Sequence, residues 1–211
     1  MDVYFAPLAC SMATRIALYE AGASANFIAV DTKKKRLADG SDFHAINPMG
    51  QVPTLCTDAG ELLTENPVVL QYVADLFPES GLAPRGGMPR YRLQQWLNFI
   101  STEMHKQVFI PLLDSTSNDG ARAFARDKAP LRLRTLNTQL DGREHLLDGF
   151  TVADAYLVTV LNWGRFSGIG LAPYPAVQAY FQRQTARPSV ARAMTEELAL
   201  FQAEQARRSA A

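Results

Sequence analysis

The chain divides into two regions with different hydrophobic patterns. Up to Phe77, short apolar runs alternate with helix-spaced stripes. Val3–Ala6 is an apolar run of strand length. Met12–Ala21 places Ile16, Leu18 and Tyr19 at helical spacing and stops before Gly22, a residue suited to a helix C-terminus. Phe27–Val30 predicts a second strand. Asp31 to Ser41 is polar and contains Lys33-Lys34-Lys35-Arg36, the pattern of a basic loop. Val52–Cys56 and Glu61–Leu63 flank Asp58-Ala59-Gly60, which predicts a hairpin. Asn66-Pro67 opens a helix through Phe77, with Asn66 as the expected N-cap and Pro67 in the first turn. The order βαβ then ββα predicts a small α/β domain on a mixed sheet.

Pro78 to Pro89 concentrates Pro78, Gly81, Pro84, Gly86, Gly87 and Pro89, the composition of a linker. Beyond it only helical patterns appear. Tyr91–Leu113 carries Leu93, Leu97, Ile100 and Met104 on one stripe. Ala121–Leu140 carries Leu133, Leu136 and Leu140, with a kink expected at Pro130. Thr151-Val152-Ala153-Asp154 has the spacing of a capping box, with Phe150 and Ala155 at the staple positions. That helix runs to about Trp163, and shorter ones follow over Ala176–Thr185 and Ser189–Leu200. The last ten residues are expected to fray. The predicted organisation is an α/β domain over 1–79, a linker over 80–87 and an all-helical domain over 88–211.

Composition narrows the function classes. The chain has 211 residues, is 47% hydrophobic, and balances 21 Lys+Arg against 21 Asp+Glu. A full core is expected, and the absence of a basic excess argues against nucleic acid or anionic lipid as partner. No apolar run approaches the ~20 residues of a membrane span. The N-terminus enters a strand pattern directly, so no signal peptide is expected. Two cysteines, Cys10 and Cys56, fit a reducing, cytoplasmic setting better than a disulfide scaffold. His44, His105 and His145 lack metal-ligand spacing, so no metal is expected, and there is no glycine-rich nucleotide motif.

The candidate chemistry centres on Cys10, at the mouth of the first predicted helix. Unpaired N–H groups there favour a thiolate and lower a cysteine pKa. A lone cysteine is also commonly a small buried hydrophobe, and position alone leaves both readings open. Cys10-Ser11-Met12-Ala13 is not a Cys-x-x-Cys pair, which excludes a dithiol cycle at this helix. Cys56 sits in an apolar strand and reads as core. Ser11 is the expected N-cap of the first helix. Asn98, Thr102 and His105 stand at i, i+4 and i+7, on one α-helical face beside the apolar stripe. Such a polar stripe is commonly just solvated. His44 and His145 read as surface residues.

Several stretches together carry a family resemblance. They are Ala9-Cys10-Ser11, Lys34-Lys35-Arg36-Leu37, Asn47-Pro48-Met49-Gly50-Gln51-Val52-Pro53, Trp96–Ile100 with Glu103-Met104-His105-Lys106, and Phe150–Asp154. In this order the chain resembles the bacterial beta class of glutathione S-transferases, over essentially its whole length. The resemblance implies a thioredoxin-like glutathione-binding domain followed by a helical-bundle domain, and a homodimer. It implies that Cys10 lies close to the glutathione sulfur and can form a mixed disulfide with it. Ser11 would place a hydroxyl near the thiol or carboxylate. The Val52-Pro53 bond would be cis, with Gln51, Val52 and Pro53 lining the site and the Val52 main chain pairing with the cysteinyl backbone of the tripeptide. Glu65 and Asn66 would hold the γ-glutamyl end at a helix N-terminus, and Lys35 the glycyl carboxylate. Many members carry Ser or Gly where Asn66 stands. His105 would donate to the thiol or shuttle its proton, with Asn98 and Glu103 serving the same subunit's site or the partner's. The electrophile pocket would draw on Phe109, Ile110, Leu112, Trp163 and Phe166.

The expected activity is transfer of the glutathione thiolate to a small hydrophobic electrophile, with glutathione as cosubstrate. Two other readings stand beside it. One is thiol-disulfide exchange or peroxide reduction through a Cys10 mixed disulfide. The other is a non-catalytic binding protein on the same fold.

Overall fold

A computed structural model describes residues Met1 to Ser209. The chain forms two compact units. The first joins residues 1–82 with the C-terminal helix, and the second spans Ala83–Arg187.

The first unit is built on a mixed sheet. Its strands are β1 (Asp2–Phe5), β2 (Asn26–Asp31), β3 (Arg36–Leu37), β4 (Thr54–Cys56) and β5 (Leu62–Leu63), in the order β3-β2-β1-β4-β5. β1 and β2 are parallel, with Val3 opposite Phe27, and the other pairs are antiparallel. Helix α1 (Met12–Glu20) is the crossover between β1 and β2, and α2 (Asn66–Leu76) follows β5. Along β1, Val3 and Phe5 are buried while Asp2 and Tyr4 are partly exposed, the alternation of a strand with one covered face. The core is formed by Val3, Phe5, Ile16, Leu18, Leu55, Leu70 and Val73, all at most 3% exposed. Burying side chains of this size is worth about 1.5–3 kcal/mol each.

The expected strands and helices of this unit are present, with boundary shifts of one or two residues. One strand was not foreseen. The basic stretch after Asp31 contains the short edge strand β3, which pairs Asp31 with Arg36 and Val30 with Leu37. Four consecutive cationic positions hide a two-residue ladder from any alternation test.

The second unit is helical. It contains α3 (Gly87–Phe99), a π-helical segment (Ile100–Phe109), α4 (Ile110–Leu113), α5 (Asp119–Leu140), α6 (Val152–Asn162), α7 (Gly164–Ser167) and α8 (Pro175–Thr185). α6 is buried along its whole length and packs against α3, the π-helical segment, α7 and α8. Its start is the capping box read from the sequence. Asp154 accepts from the Thr151 N–H and from the Thr151 hydroxyl, and the Thr151 oxygen accepts from the Ala153 N–H. α5 continues through Pro130, and the Asn118 side chain caps it by accepting from the Ala121 N–H.

The C-terminal helix α9 (Pro188–Ser209) departs from expectation twice. The sequence pattern groups 88–211 together and ends its last helix near Leu200. In the structure α9 belongs to the first unit and is helical through Ser209; Ala210 and Ala211, the end of the stretch expected to fray, lie outside the described residues. The reason is a polar anchor. Arg15 of α1 donates to Glu197 of α9 at 2.9 Å, Tyr19 donates to Glu196, and Arg208 pairs with Asp31 at 3.3 Å. Hydrophobic periodicity carries no sign of such cross-element ion pairs. Among the described residues no helix is long and apolar enough to cross a membrane.

Candidate functional site

Cys10 lies in the turn between β1 and α1. Its side chain is 9% exposed, and its thiol donates to the Val52 carbonyl oxygen at 3.1 Å. The Val52-Pro53 bond is cis. Two segments 42 residues apart in sequence, one carrying the thiol and one carrying the proline, therefore meet directly. The amide nitrogen of Asn66 donates to the Cys10 carbonyl at 3.2 Å, which brings the first residue of α2 to the same place. Cys10, Val52, Pro53 and Asn66 are thus one cluster.

The supporting loop is held from within. Asn47, 3% exposed, donates to the Gln51 carbonyl and to the Thr54 hydroxyl, both at 2.9 Å, and the Thr54 hydroxyl donates to Gln51 at 3.0 Å. These bonds fix the backbone that leads into Val52-Pro53, while the Gln51 side chain remains exposed. Lys35 reaches across to the Gly50 carbonyl at 2.8 Å from a left-handed backbone position, φ 55°. Glu65, at φ 65°, is exposed and precedes α2 without a side-chain capping bond.

Two sequence expectations change here. Ser11 occupies the N-cap position of α1 but makes no side-chain cap. It is fully buried, donating to the Ala6 carbonyl and accepting from the Ala6 N–H, both at 3.3 Å. Its hydroxyl is turned into its own loop, onto the Ala6 main chain. Asn66 is the first residue inside α2, with Glu65 in the cap position, and its amide nitrogen serves Cys10 in place of the helix end. In both cases a main-chain partner outside the helix takes the side chain from the local cap, Ala6 five residues back for Ser11 and Cys10 across the fold for Asn66. Cys56 is half-buried and forms no disulfide with Cys10.

In the second unit His105 is 6% exposed. Its Nδ1 lies 2.7 Å from the Tyr156 hydroxyl, and its ring packs edge-on against Trp163 with centroids 4.8 Å apart. Burial, with a smaller contribution from the Lys106 charge, drives its pKa down to about 3. The imidazole is therefore neutral near pH 7. Phe109 joins the same ring cluster at 5.9 Å from Trp163. Leu112 is buried, Ile110 half-buried and Phe166 48% exposed, so the five expected pocket residues divide into core and surface.

The expected polar stripe is broken. Asn98 and Thr102 are exposed and occupied with local backbone carbonyls, whereas His105 is buried. The π-helical segment Ile100–Phe109 closes i→i+5 bonds, so positions three and four apart no longer align as they do in an α-helix. Glu103 is held by Arg132 of α5, at 3.0 Å from Nε and 2.6 Å from Nη2. His44 is exposed, as expected, but His145 is half-buried, packing on Phe150 and sharing a hydrogen bond with Gln184.

Two buried groups of the first unit escaped the sequence reading. Glu197 is 0% exposed, and its carboxylate accepts from Arg15 and from the Leu8 N–H. Burial pushes its pKa up to about 7 against the opposing pull of Arg15. The available signal was Arg15, a cation inside the most apolar stretch of α1. Among the described residues no group of His, Cys, Asp and Glu is arranged to hold a metal ion.

The sequence matches the family profile "Glutathione S-transferase, N-terminal domain" over residues 1–75 and "Glutathione S-transferase, C-terminal domain" over residues 99–188. It is 40% identical over 200 residues to glutathione S-transferase GstA of Escherichia coli O157:H7, covering 93% of this chain and 98% of that protein. The chain belongs to the glutathione S-transferase family. Among solved structures, BphK, a bacterial glutathione S-transferase seen in a ternary complex, is 43% identical with a TM-score of 0.90 over 93% of this chain and 99% of that one. A sphingomonad glutathione S-transferase complexed with glutathione is 43% identical with a TM-score of 0.88, over 93% and 98%. A bacterial beta-class transferase of Sphingomonas chungbukensis is 42% identical with a TM-score of 0.89, over the same shares. The beta-class resemblance seen in the sequence motifs thus extends to the fold of a glutathione transferase.

Proposed function

We propose that this glutathione S-transferase binds the tripeptide on its first unit and transfers the glutathione thiolate to a small hydrophobic electrophile. The observation that carries the reading is the meeting of the Cys10 thiol with the Val52 carbonyl. A tripeptide pairing its cysteinyl main chain with Val52 would bring its own sulfur next to Cys10. Lys35 supplies a cation for the glycyl carboxylate, and the start of α2 supplies N–H groups for the γ-glutamyl carboxylate. Conjugation needs the glutathione S–H proton to leave, the sulfur to bond to the electrophilic carbon, and a leaving group to depart where one is present. As a neutral imidazole, His105 would assist by hydrogen bonding, not as a cationic acid.

The test is kinetic. Purified wild-type protein is expected to be retained on immobilised glutathione and to conjugate a model aryl halide. Failure of both overturns the reading in favour of a binding protein of other specificity. Cys10→Ala separates the two thiol chemistries. Conjugation is expected to survive while glutathione-dependent disulfide reduction is lost. Loss of conjugation would make Cys10 an activator of the glutathione thiol and not an exchange residue alone.

Disulfide exchange is a second reading, favoured by a thiol that meets the backbone expected to carry glutathione. The Cys10 thiolate would attack one sulfur of a disulfide substrate, form a mixed disulfide and release the other thiolate. A glutathione thiolate would then displace Cys10. We further propose a homodimer in the cytoplasm. Val68 and Leu76 on α2 and Met88 and Tyr91 on α3 are exposed apolar side chains of the kind an interface covers. Two reduced cysteines fit a reducing compartment. A monomeric mass in light scattering at micromolar concentration would refute the dimer.

A further inference from the structure

Leu8 stands two residues before Cys10, at φ 60°. For a non-glycine residue this left-handed conformation costs about 1–2 kcal/mol and persists only when the surroundings impose it. Here they do. The Leu8 N–H donates at 2.7 Å to Glu197, a carboxylate with no exposure. The other carboxylate oxygen accepts from Arg15 Nε at 2.9 Å. Arg15 is itself fixed, with its guanidinium 3.7 Å above the Phe27 ring and 4.6 Å from that of Phe5. It lies 3.3 Å from the Tyr19 hydroxyl and 3.6 Å from the Glu196 carboxylate, which Arg192 also engages. A residue near the far end of the chain thus holds the turn that carries the thiol.

We propose that Glu197 is a positioning residue for Cys10: its ionised carboxylate, oriented by Arg15, clamps the Leu8 turn and so sets where the thiol lies. An ionised acceptor holds an N–H about twice as strongly as a neutral one, so protonation of Glu197 loosens the clamp. The charged groups acting on it are Arg15 from α1 and Glu196 from α9 itself, and Glu196 is in turn engaged by Tyr19 of α1 and Arg192 of α9; from the β1–α1 turn Glu197 accepts from the Leu8 N–H. The raised pKa places the change near pH 7, where modest acidification relaxes the thiol-bearing turn. The consequence for catalysis rests on the reading of Cys10 as part of a glutathione site. The test uses no glutathione, so failure of the clamp and failure of that reading are told apart.

The experiment follows the Leu8 and Cys10 amides by 15N–1H NMR in the wild-type protein from about pH 5.5 to about pH 8.5. Both resonances are expected to move with a shared midpoint near 7. Iodoacetamide alkylation of Cys10, separated from Cys56 by peptide mass spectrometry, is expected to change at least about threefold across that midpoint beyond the rise due to its own thiolate. In Glu197→Gln, which accepts a hydrogen bond but does not titrate, the shared midpoint and the extra change in alkylation are expected to vanish. Flat wild-type resonances, a Leu8 shift that Cys10 does not follow, or a folded Glu197→Gln protein with the wild-type alkylation profile would each overturn the proposal. If Glu197→Gln does not fold, the wild-type titration decides alone.

Discussion

The side-chain nitrogen of Asn66 donates to the main-chain carbonyl of Cys10 at 3.2 Å, so the first residue of α2 restrains the turn bearing the thiol. Its other amide atom, Oδ1, is buried with no hydrogen-bond partner among the described residues. Asn66→Ala removes a useful donor and an unsatisfied acceptor together. The two effects partly cancel, and the expected loss is about 1 kcal/mol. Asn66→Asp is expected to cost more, about 2–4 kcal/mol, because a carboxylate oxygen then faces the Cys10 carbonyl. Urea unfolding of both variants checks the order. A loss in Asn66→Ala that equals or exceeds that in Asn66→Asp would show that the bond does not restrain Cys10.

Asp154 is the polar centre of the second unit. With no exposure, it accepts from the Leu146 N–H, the Thr151 N–H, the Thr151 hydroxyl and the Tyr180 hydroxyl. Burial raises its pKa and the four donors oppose the rise. Asp154→Ala strands buried donors at two backbone sites and two hydroxyls, and is expected to cost at least about 3 kcal/mol. Thr151→Ala loses one cap and is expected to cost about 1 kcal/mol. Denaturant midpoints with unchanged m-values would report these as stability losses, and equal losses from the two variants would contradict the central role of Asp154.

The same contrast explains what could be read from the chain. Thr151 and Asp154 form a local motif three residues apart, so spacing alone reveals the capping box. Cys10, Lys35 and Pro53 are legible for another reason: each lies in a short stretch whose pattern resembles the wider family's. Asn66, where many members carry Ser or Gly, is legible instead from its place before Pro67 at a helix start, and the structure brings Cys10, Val52 and Asn66 into contact. Ser11 was misread because a serine before a helix satisfies the local rule, while a carbonyl five residues back in the folded turn holds it instead. His105 leaves the exposed side that Asn98 and Thr102 share because the stripe assumed an α-helical repeat throughout, whereas from Ile100 on the helix is π. Glu197 was invisible because its partners are 189 and 182 residues away, beyond any periodicity.

Buried His105 makes the fold sensitive to acid. Its pKa falls from 6.5 to about 3 on folding, so between those values the unfolded chain binds more protons than the folded one. Its contribution is fully present above pH 6.5 and is lost as pH falls toward 3, amounting to at most about 5 kcal/mol. Glu197 acts in the opposite sense. With its pKa raised from 4.5 to about 7, its contribution is present below 4.5 and is lost as pH rises through 7. His105→Gln is therefore expected to flatten the acid side of the stability profile, and Glu197→Gln the slope between 4.5 and 7. Urea midpoints measured across this range give both slopes. A His105→Gln protein with the wild-type acid limb would show that the imidazole is not neutral and buried in solution.

Two glycines test what holds the loops near the sequence-predicted site residues. At Gly50, φ is +59°, and an added Cβ would meet His44 Nε2 at 2.8 Å and Lys35 Cδ at 3.0 Å. Both are far ends of flexible side chains, so they can move, and Gly50→Ala is expected to cost about 1–2 kcal/mol through backbone strain. Displacing Lys35 from the Gly50 carbonyl also disturbs the cation proposed for the glycyl carboxylate. KM for glutathione is expected to rise about threefold with little change in kcat. At Gly164, on α7 beside Trp163, an added Cβ would meet the Ile169 main-chain oxygen at 2.7 Å. A backbone carbonyl cannot swing aside, so the turn must shift. Gly164→Ala is expected to cost about 2–3 kcal/mol, more than Gly50→Ala, while leaving KM for glutathione near its wild-type value. Thermal unfolding and steady-state kinetics on the two variants separate the cases. A larger rise in KM for Gly164→Ala than for Gly50→Ala would show that Lys35 does not serve the tripeptide.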